Sequence, residues 1–454
     1  MTNEERIEIL NQKRIVINNI SPSFCSAKWL QTTLYLQNGY NHSCHHPSPH
    51  KIPIEEIREN PAALHNSKFK KEQRLKMLNG ERPSECDYCW KIEDLNKDYF
   101  SDRHYKTSDY WAWDRLEECA KTDPASDIHP SYLEVSFSNV CNFKCTYCSP
   151  EVSSKWMEEI ERHGPYPTST SNHDLTWLKE VGRFPYKNSD DNPYVDAFWK
   201  YLPDIYNNLR VLRVTGGEPL LSKDVWKLFE YIKHNPNLNL ELAINTNLCV
   251  EDKLITKFIL ALMALKPYVK CIDVYTSLES TGKQAEYSRY GLNYTQWVNN
   301  INKVLTATDV TVNVMTTINA LSLPTMHEFI NYIMVLRQQY NKTPAHNRIP
   351  ISINYLRWPT HLSVNVLPLE LRKTYRDHIL TTSEHWIKYN TDGVARLYLE
   401  EWDQIQRFCD YLITEQQDPT DFKKFKDEID KRRNTDFVSV FPEFKDFYNN
   451  AKKA

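Results

Sequence analysis

Short hydrophobic segments alternate with longer amphipathic ones over residues 131–357. The short segments are rich in β-branched and aromatic residues, which is typical of buried β-strands. They are SYLEVSFS (131–138), LRVLRVTG (209–216), LELAINT (240–246), VKCIDVYTS (269–277), DVTVNVMTT (309–317) and PISINYLR (350–357). Segments with helical periodicity lie between them, including 222–234, 251–265, 294–307 and 324–340. The pattern predicts a series of six β/α units.

Repeated β/α units favour an α/β fold with a parallel sheet, whose strands are joined by right-handed crossovers. Six units fit either a doubly wound sheet or an open, partial (β/α)6 barrel of the TIM type. Periodicity alone does not choose between these two. In both architectures ligands bind at the carboxyl ends of the strands, so we expect functional residues directly after each strand.

The chain divides into three regions by composition. Residues 1–130 carry cysteines but no β/α repeat, and we predict a distinct N-terminal module there. Residues 131–360 are predicted to form the α/β core, and residues 361–454 a mainly helical C-terminal region. Within the core, residues 163–200 are rich in Pro, Ser, Thr, Asn and Asp. We interpret this segment as an insertion that forms a lid or a surface excursion.

Composition and charge narrow the class of protein. The 454 residues are 25% charged and 41% hydrophobic, as is usual for a folded, water-soluble chain. The net charge of -3, with both signs interspersed, argues against binding to nucleic acid. No apolar run approaches the roughly 20 residues that span a bilayer, and the first 14 residues lack the apolar stretch of a signal peptide. We therefore expect a cytoplasmic protein with no membrane partner.

Three cysteines follow the first predicted strand in a C-x3-C-x2-C arrangement: Cys141, Cys145 and Cys148. Thiolates are soft ligands that suit iron–sulfur clusters and zinc. Three of them would leave one iron of a four-iron cluster without a protein ligand, and chemistry can take place at that iron. The alternative interpretation is a structural zinc site with a distant fourth ligand.

The segment CNFKCTYC resembles the signature of the radical S-adenosylmethionine (radical SAM) family, with Tyr147 before the third cysteine. The TGGEP segment at 215–219 resembles that family's GGEP motif and holds the chain's one Gly-Gly pair. The resemblance implies a catalytic [4Fe–4S] cluster that cleaves S-adenosylmethionine to a 5′-deoxyadenosyl radical. It further implies cofactor contacts from Tyr147, Gly216, Gly217, Glu218 and Pro219. The glycines would let peptide groups approach the methionyl moiety, and Glu218 would pair with its ammonium group.

Three further segments resemble the family in the expected order. INTN (244–247) follows the third strand and resembles the family's Asn-bearing strand end, which implies cofactor contacts from Asn245 and Asn247. TSLES (276–280) resembles the segment that approaches the ribose, through Ser277 and Glu279, although Glu279 replaces the more usual Asp. AEYSRYG (285–291) resembles a segment in which Arg289 would bind the cofactor's carboxylate.

A second cysteine set lies upstream and consists of Cys25, Cys44, Cys86 and Cys89. TTLYLQNGYNHSC predicts a hairpin with a type I′ turn at Asn38-Gly39, which would bring Cys44 back toward Cys25. HNSKFKKEQRLKMLNG then predicts a helix that ends near Gly80 and leads into the C-x2-C pair. Four thiols suffice to hold a complete cluster.

The second set resembles the auxiliary-cluster modules of SPASM and twitch type, which implies an auxiliary [4Fe–4S] cluster. Such modules usually follow the barrel, whereas this one precedes it. A zinc ribbon is the competing interpretation, with His42, His45 and His46 as further candidate ligands. Cys119 is the reserve ligand should Cys25 not serve. Structural thiols are the prediction for the remaining cysteines, Cys119, Cys249, Cys271 and Cys409.

The resemblance implies hydrogen abstraction from a substrate held above the strand ends, with the auxiliary cluster accepting an electron or anchoring the substrate. A peptide or protein side chain, or a small molecule, is the expected substrate, and a flavodoxin or ferredoxin the expected electron donor. The alternative is a zinc-stabilised, non-catalytic protein that binds nucleic acid or a protein partner through its 12 Trp and 27 Tyr residues. Such a scaffold has no need of the GGEP motif.

Overall fold

The architecture is described from a computed structural model that covers residues 3–96, 98–170, 173–187, 190–388 and 393–451. In these ranges nine strands form one sheet, in the order β11-β10-β8-β7-β6-β4-β1-β2-β3, and β5 pairs with β9. The strands are β1 (Gln31–Tyr35), β2 (Tyr40–His42), β3 (His50–Lys51), β4 (Tyr132–Ser136), β5 (Lys144–Cys145), β6 (Val211–Thr215), β7 (Asn237–Asn245), β8 (Val269–Ser277), β9 (Arg289–Tyr290), β10 (Thr311–Met315) and β11 (Ile351–Ser352).

The six predicted strands are confirmed as β4, β6, β7, β8, β10 and β11. Neighbours among them pair in parallel and follow chain order across the sheet without reversal. A doubly wound sheet reverses its strand order part-way through the chain, whereas a barrel segment does not. The α/β class is therefore confirmed, and the strand order is that of a partial barrel.

The helices of the described residues fall into three groups. Those before the parallel strands are α1 (Asn3–Ile20), α2 (Ala27–Leu30), α3 (Ile54–Glu59), α4 (Ala63–Asn66), α5 (Lys68–Leu78), α6 (Asp87–Leu95), α7 (Asp102–Ser108), α8 (Tyr110–Trp113) and α9 (Leu116–Lys121). Those of the core are α10 (Ser154–His163), α11 (Leu175–Glu180), α12 (Pro193–Ile205), α13 (Lys223–His234), α14 (Asp252–Leu265), α15 (Gly282–Ser288), α16 (Tyr294–Ala307) and α17 (Met326–Tyr340). The C-terminal ones are α18 (Leu369–Lys388), α19 (Leu399–Tyr411), α20 (Thr420–Arg433), α21 (Phe437–Val440) and α22 (Lys445–Asn450). None of these helices combines the length and apolar composition needed to cross a membrane.

Local signals in the sequence define where the core helices begin and end. The side chain of Asn293 accepts the amide of Gln296 at 2.8 Å and caps α16. Asn192 caps α12 in the same way, and Pro193 occupies its first turn. α10 ends at His163, and the next residue, Gly164, has a φ of +77°, a value that favours glycine. The four predicted core helices are confirmed to within two residues as α13, α14, α16 and α17.

The predicted hairpin forms, but its turn is longer than predicted. β1 pairs antiparallel with β2 from Tyr35 opposite Tyr40, so four residues form the loop. Within this loop Gly39 has a positive φ and Asn38 does not, so the type I′ prediction is wrong. The reason lies in the sheet: the amide of Leu36 donates to the carbonyl of Ser136 in β4 at 2.9 Å. β1 is thus held against β4 beyond the point where β2 turns away.

The N-terminal region joins the core sheet and also has a core of its own. β1 pairs in parallel with β4 over five residues, and β2 and β3 extend the sheet beyond it. A separate group of buried side chains packs behind this edge, including Phe24, Trp29, Trp90 and Trp111. The predicted helix before the C-x2-C pair is confirmed as α5, and Gly80 follows it with a φ of +79°. Module boundaries at residues 130 and 360 remain predictions.

Part of the predicted insertion belongs to the core. Residues 171–172 and 188–189 of the 163–200 segment lie outside the described residues. α11 and the first half of α12 lie within the segment, and Tyr194 at the start of α12 is fully buried. The hydroxyl of Tyr194 donates to the carbonyl of Ile52 at 2.8 Å, which ties the segment to the N-terminal hairpin. The insertion is therefore shorter than the composition suggested.

The C-terminal region is helical, as predicted, and covers the edge of the sheet at β11. The side chains of Glu401 and Gln404 on α19 accept the amides of Ile351 and Ile353 at 3.0 and 2.8 Å. Glu401 also forms a buried ion pair with Arg337 on α17, at 2.5 and 2.9 Å. These contacts satisfy the free amides of an edge strand, which would otherwise favour pairing with another chain.

Candidate functional site

Cys141, Cys145 and Cys148 lie on the loop after β4, and four residues separate the end of β4 from Cys141. Within this loop β5 pairs antiparallel with β9, so that Cys145 lies opposite Arg289. The amide of Thr146 adds a bond of 2.8 Å to the carbonyl of Ser288. The three predicted ligands therefore lie on a loop that is fastened to the segment after β8, and all three side chains are half-buried.

The Gly-Gly pair packs against the backbone of the cysteine loop. A Cβ atom at Gly217 would lie 2.3 Å from the carbonyl oxygen of Val140, the residue before Cys141. The amides of Gly217 and Glu218 donate to the carbonyls of Ser138 and Val140 at 3.2 and 2.7 Å. Gly217 is thus required by the close approach of two backbones. The cofactor contacts expected of Gly216 and Gly217 remain a prediction.

A third glycine, which the sequence analysis missed, holds the loop from the other side. A Cβ atom at Gly291 would lie 2.7 Å from the carbonyl oxygen of Asn142, and the φ of this residue is +108°. Gly217 and Gly291 therefore clamp the cysteine loop between the turns that follow β6 and β9. The sequence signal was present, since Gly291 ends the AEYSRYG segment in a chain with 9 glycines.

Glu218 is fully buried at the carboxyl end of β6, next to Pro219. Its two carboxylate oxygens accept the amides of Leu220 at 3.0 Å and Asn247 at 2.6 Å. Burial raises the pKa of this carboxyl to about 7, against the lowering effect of the two amides. Glu218 is thus positioned rigidly beside the cysteine loop, and it is a carboxylate that a cationic ligand would stabilise.

The two asparagines of the INTN segment have different partners. The side chain of Asn247 donates to that of Asn142 in the cysteine loop at 2.7 Å, and Asn142 donates to the carbonyl of Cys249 at 2.8 Å. Asn245, in contrast, accepts Nε of Arg213 at 3.2 Å. Asn247 thus braces the cysteine loop, whereas Asn245 lies on the face of the sheet.

Glu279 and Arg289 form a buried ion pair with each other. Nε and Nη2 of Arg289 donate to the two carboxylate oxygens of Glu279 at 3.0 and 2.5 Å. The Tyr147 hydroxyl lies 3.4 Å from Glu279, and the guanidinium lies 5.3 Å from the centre of the Tyr147 ring. Nη1 of Arg289 points toward the Cys145 sulfur at 3.9 Å. The structure therefore brings together these three predicted residues, while Ser277 ends β8 two residues before Glu279.

The thiols of the first set sit in an environment that disfavours a bare thiolate. Burial raises the pKa of Cys141 and Cys145, and raises that of Cys148 to about 12. A metal group must displace these protons when it binds, and its positive charge offsets the cost of burial. Such thiols are suited to hold a cationic metal group.

The four cysteines of the second set line one pocket. Cys25 precedes α2, Cys44 follows β2, Cys86 precedes α6 and Cys89 lies in its first turn. Burial raises the pKa of Cys25 and Cys44, and raises that of Cys86 and Cys89 to about 11. The hairpin and the helix α5 thus bring the two halves of the set together, as the sequence analysis expected.

The remaining cysteines do not line this pocket. Cys119 is buried among apolar residues behind it, and Cys249 and Cys409 are buried in the main core. Cys271 is exposed, so the prediction of a structural core thiol is wrong there. Its strand position explains this, because Cys271 lies near the amino end of β8, where the sheet opens to solvent.

The spacing of the sulfur atoms bears on the choice between zinc and a cluster. In the described ranges, one group of three His, Cys, Asp or Glu ligand atoms lies within 4.8 Å of one another, and it consists of His45, His46 and Asp102. Four thiolates on one zinc ion, each about 2.3 Å from the metal, would have sulfur atoms about 3.8 Å apart. In the described ranges no three of the cysteine sulfur atoms all lie within 4.8 Å of one another, so neither set has the spacing of a formed single-zinc site.

The histidines around Cys44 have other partners. Nδ1 of His42 lies against the carbonyl of Cys44 and its Nε2 lies 3.1 Å from the Tyr35 hydroxyl. Nε2 of His46 pairs with Asp102 at 2.7 Å, and its ring stacks on Tyr88. These contacts account for His42 and His46 without a shared metal.

Polar side chains line one face of the parallel strands, and the sequence analysis did not single them out. Glu134 of β4 lies opposite Arg213 of β6, and Asp273 of β8 lies in the same row, next to Ala243. Arg213 also stacks over the Tyr275 ring at 4.2 Å. We call these residues the polar face. Charged residues in the middle of otherwise hydrophobic strands were the available signal.

The second cysteine set and the polar face lie close to each other. Lys106 lines the pocket of Cys44, and its charge lowers the pKa of both Cys44 and Glu134 against the effect of burial. The Trp111 ring lies 5.5 Å from that of Tyr132 at the start of β4. The N-terminal region therefore borders the polar face and adds a wall to the space in front of it.

The C-terminal region contacts the cysteine loop through an ionic network. Arg433 of α20 donates to both carboxylate oxygens of Glu159 at 3.1 Å, and Lys144 of the cysteine loop pairs with the same carboxylate. Burial raises the pKa of Glu159, but these cations outweigh that effect and lower the pKa to about 2. α20 thus shields the outer side of the loop, a role that no sequence motif indicated.

Comparison with known proteins agrees with this geometry. Residues 135–333 match the model of the Radical SAM superfamily. The GTP 3′,8-cyclase of Desulforamulus reducens is 30% identical over 117 residues, which are 26% of this chain and 27% of the relative. The GTP 3′,8-cyclase of Vibrio parahaemolyticus is 29% identical over 135 residues, 29% of this chain and 32% of the relative.

The similarity is confined to a part of each protein, since the chain spans about a quarter to a third of the length of these relatives. The matched segment includes the cysteine loop, the Gly-Gly-Glu-Pro turn and the strands β6 to β10. Taken with the sheet order and the clamped cysteine loop, this match shows that residues 135–333 are similar to the radical SAM superfamily.

Proposed function

We propose that this protein is a radical SAM enzyme whose catalytic [4Fe–4S] cluster is held by Cys141, Cys145 and Cys148. The observation that carries the proposal is the clamped cysteine loop, which brings three thiols, Glu218 and Arg289 to the carboxyl ends of β4, β6 and β8. Bound there, the cluster would supply the electron that cleaves S-adenosylmethionine into methionine and a 5′-deoxyadenosyl radical. The side chains of the protein bind and orient S-adenosylmethionine and the substrate.

Glu218 is proposed to bind the ammonium group of S-adenosylmethionine. Its oxygens are oriented by the amides of Leu220 and Asn247, and each retains a lone pair for a further donor. A buried carboxylate gains most from a cationic partner, because burial without one is costly. Gly216 and Pro219 flank this carboxylate and shape the turn around it.

Arg289 is proposed to bind the carboxylate of the same cofactor, with Glu279 as its positioning residue. Two of its guanidinium nitrogens are bonded to Glu279, which leaves Nη1, directed at Cys145, for a ligand. Glu279 therefore takes a structural part that fixes the guanidinium over Tyr147. We assign the adenosine contacts to Tyr147, Asn247 and Ser277, in keeping with the resemblance of their segments.

An auxiliary [4Fe–4S] cluster on Cys25, Cys44, Cys86 and Cys89 is proposed as the second redox group. Support comes from the convergence of all four thiols on one pocket. A cluster with four protein ligands would supply an electron acceptor with no open iron. Its pocket borders the polar face, so a substrate held there would lie between the two sites.

The substrate is proposed to bind against the polar face and to lose a hydrogen atom to the 5′-deoxyadenosyl radical. The row of Glu134, Arg213 and Asp273 suits a polar group, such as a peptide side chain or a polar small molecule. GTP is named for the relatives, but the similarity covers too little of them to assign GTP to this chain. Electrons would come from a flavodoxin or ferredoxin.

The pH dependence of cofactor binding tests the role of Glu218. Its pKa is raised to about 7, so the carboxylate predominates above that pH and the neutral acid below it. We expect the affinity for S-adenosylmethionine to fall as the pH is lowered from 8 to 6. Glu218→Gln should bind at least about tenfold more weakly at pH 8, since a buried hydrogen bond to a charge contributes about 1.5–3 kcal/mol.

Equilibrium dialysis with radiolabelled S-adenosylmethionine across this pH range measures the effect. Asp252→Asn, which alters an exposed carboxylate on α14, serves as the matched control and should behave as the wild type. An unchanged pH dependence in Glu218→Gln would show that another group is responsible.

The proposal as a whole is tested by anaerobic reconstitution and a count of iron and sulfide. Two clusters require about eight irons per chain, because each cubane holds four. Cys86→Ala with Cys89→Ala should leave about four irons, and S-adenosylmethionine should still alter the electron paramagnetic resonance (EPR) spectrum of the cluster that remains. Stoichiometric zinc in place of iron would instead favour the non-catalytic scaffold.

A further inference from the structure

Three cationic side chains line the four-cysteine pocket, and they differ in burial and in their partners. Arg103 donates from Nε and Nη2 to Glu93 at 2.7 and 2.9 Å, and Glu93 does not line the pocket or adjoin a cysteine of the set. Lys106 is half-buried, so water screens its charge. Lys28 is the third, and its side chain is 3% exposed.

Lys28 and Cys86 line the same pocket. The Lys28 ammonium pairs with Glu85, the residue directly before Cys86. Because the Lys28 side chain is 3% exposed, its charge acts within the pocket in a medium with little screening.

The backbone of Lys28 is held next to that of Cys25, which precedes α2. The amide of Lys28 donates to the carbonyl of Cys25 at 3.0 Å, in the short helix α2. Arg74 donates from Nε to the carbonyl of Lys28 at 3.1 Å, and the Thr107 hydroxyl accepts the amide of Ser26 at 3.1 Å. The ammonium group and the Cys25 thiol thus belong to one rigid unit.

A four-iron cluster on four thiolates carries a net negative charge, and reduction adds one further unit. A buried cation beside the ligand sulfurs stabilises the reduced form, which raises the reduction potential. We propose that Lys28 is the positioning residue that sets the reduction potential of the auxiliary cluster and so makes it an electron acceptor. This inference rests on the auxiliary cluster of the proposed function.

The test is an EPR-monitored redox titration of the full-length, reconstituted protein with Ala at Cys141, Cys145 and Cys148, so that only the auxiliary cluster contributes. Lys28→Met should disfavour the reduced form at least tenfold, which for one electron is 59 mV toward lower potential. Glu85→Gln removes the competing carboxylate and should shift the potential in the opposite direction. Lys13→Met removes a part-buried lysine of the same region, bonded to the Ser108 carbonyl, and should leave the potential unchanged.

Opposite shifts in Lys28→Met and Glu85→Gln, with four irons retained in each, would support the inference, because general loosening of the site would not change sign between them. An unchanged potential in both variants, with the irons retained, would overturn it. If Lys28→Met fails to hold iron, Lys28→Arg is measured as well, because it keeps the positive charge. The equilibrium constant for reduction of its cluster must then lie within threefold of the wild-type value. A wild-type protein with four irons rather than eight would overturn the auxiliary cluster itself.

Discussion

Alanine in place of Cys141, Cys145 and Cys148 together is expected to remove about four irons and all cleavage of S-adenosylmethionine. The reason is that these thiols are the proposed ligands of the catalytic cluster, and the fold offers no substitute ligands on the clamped loop. The auxiliary cluster should survive, since its pocket is built from other elements. Iron analysis, EPR and a chromatographic assay for 5′-deoxyadenosine measure the three quantities.

Cys249→Ala is the matched control for this variant. Cys249 is buried near the site, and its sulfur accepts the amide of Asn293 at 3.3 Å, but it belongs to neither set. It should keep its full iron content and measurable activity. Loss of all eight irons in the triple variant would contradict the account, because the two sites would then not be independent.

Gly217→Ala is expected to have the next largest effect. The added methyl group would lie 2.3 Å from the carbonyl oxygen of Val140 and 2.7 Å from that of Asn139, both of which belong to the backbone. Neither atom can swing away as a side-chain end does, so the cysteine loop must shift. We expect a loss of about 1–3 kcal/mol in the free energy of unfolding, the usual cost of overpacking, and a catalytic cluster that no longer assembles.

Chemical denaturation and iron analysis check both parts of this prediction. Gly164→Ala is the control, since nothing lies within 4 Å of its added methyl group and only its φ of +77° opposes the change. It should lose about 1–3 kcal/mol, the cost of an alanine in a backbone region that glycine almost alone adopts, and keep its iron. A Gly217→Ala protein with four irons on the first set would show that the clamp is dispensable.

The sequence predicted the sheet well because its strands carry their own signals. The six segments are rich in β-branched residues, and the capping residues Asn293 and Ser153 mark helix starts that do not depend on distant contacts. The first cysteine set was likewise found from local spacing. These features are encoded within short stretches of chain.

Other features depend on contacts between distant parts of the chain and so escaped prediction. The turn at Asn38 is lengthened because β1 is held by β4, about a hundred residues away. The clamp at Gly291 and the network from Arg433 to Lys144 each join segments far apart in sequence. The polar face arises from strand register, which periodicity does not fix.

Glu279 and Arg289 were each expected to contact the cofactor, on the basis of their separate segments. The structure joins them in one buried ion pair. A longer acidic side chain than the usual Asp reaches the guanidinium from the end of β8.

The measurement that tests the central claim most directly is the formation of 5′-deoxyadenosine by the anaerobically reconstituted wild-type protein, given S-adenosylmethionine and dithionite. The account predicts 5′-deoxyadenosine and methionine in equal amounts, from protein that contains about eight irons, four for each cluster. Protein that binds zinc instead of iron and forms no 5′-deoxyadenosine would contradict it.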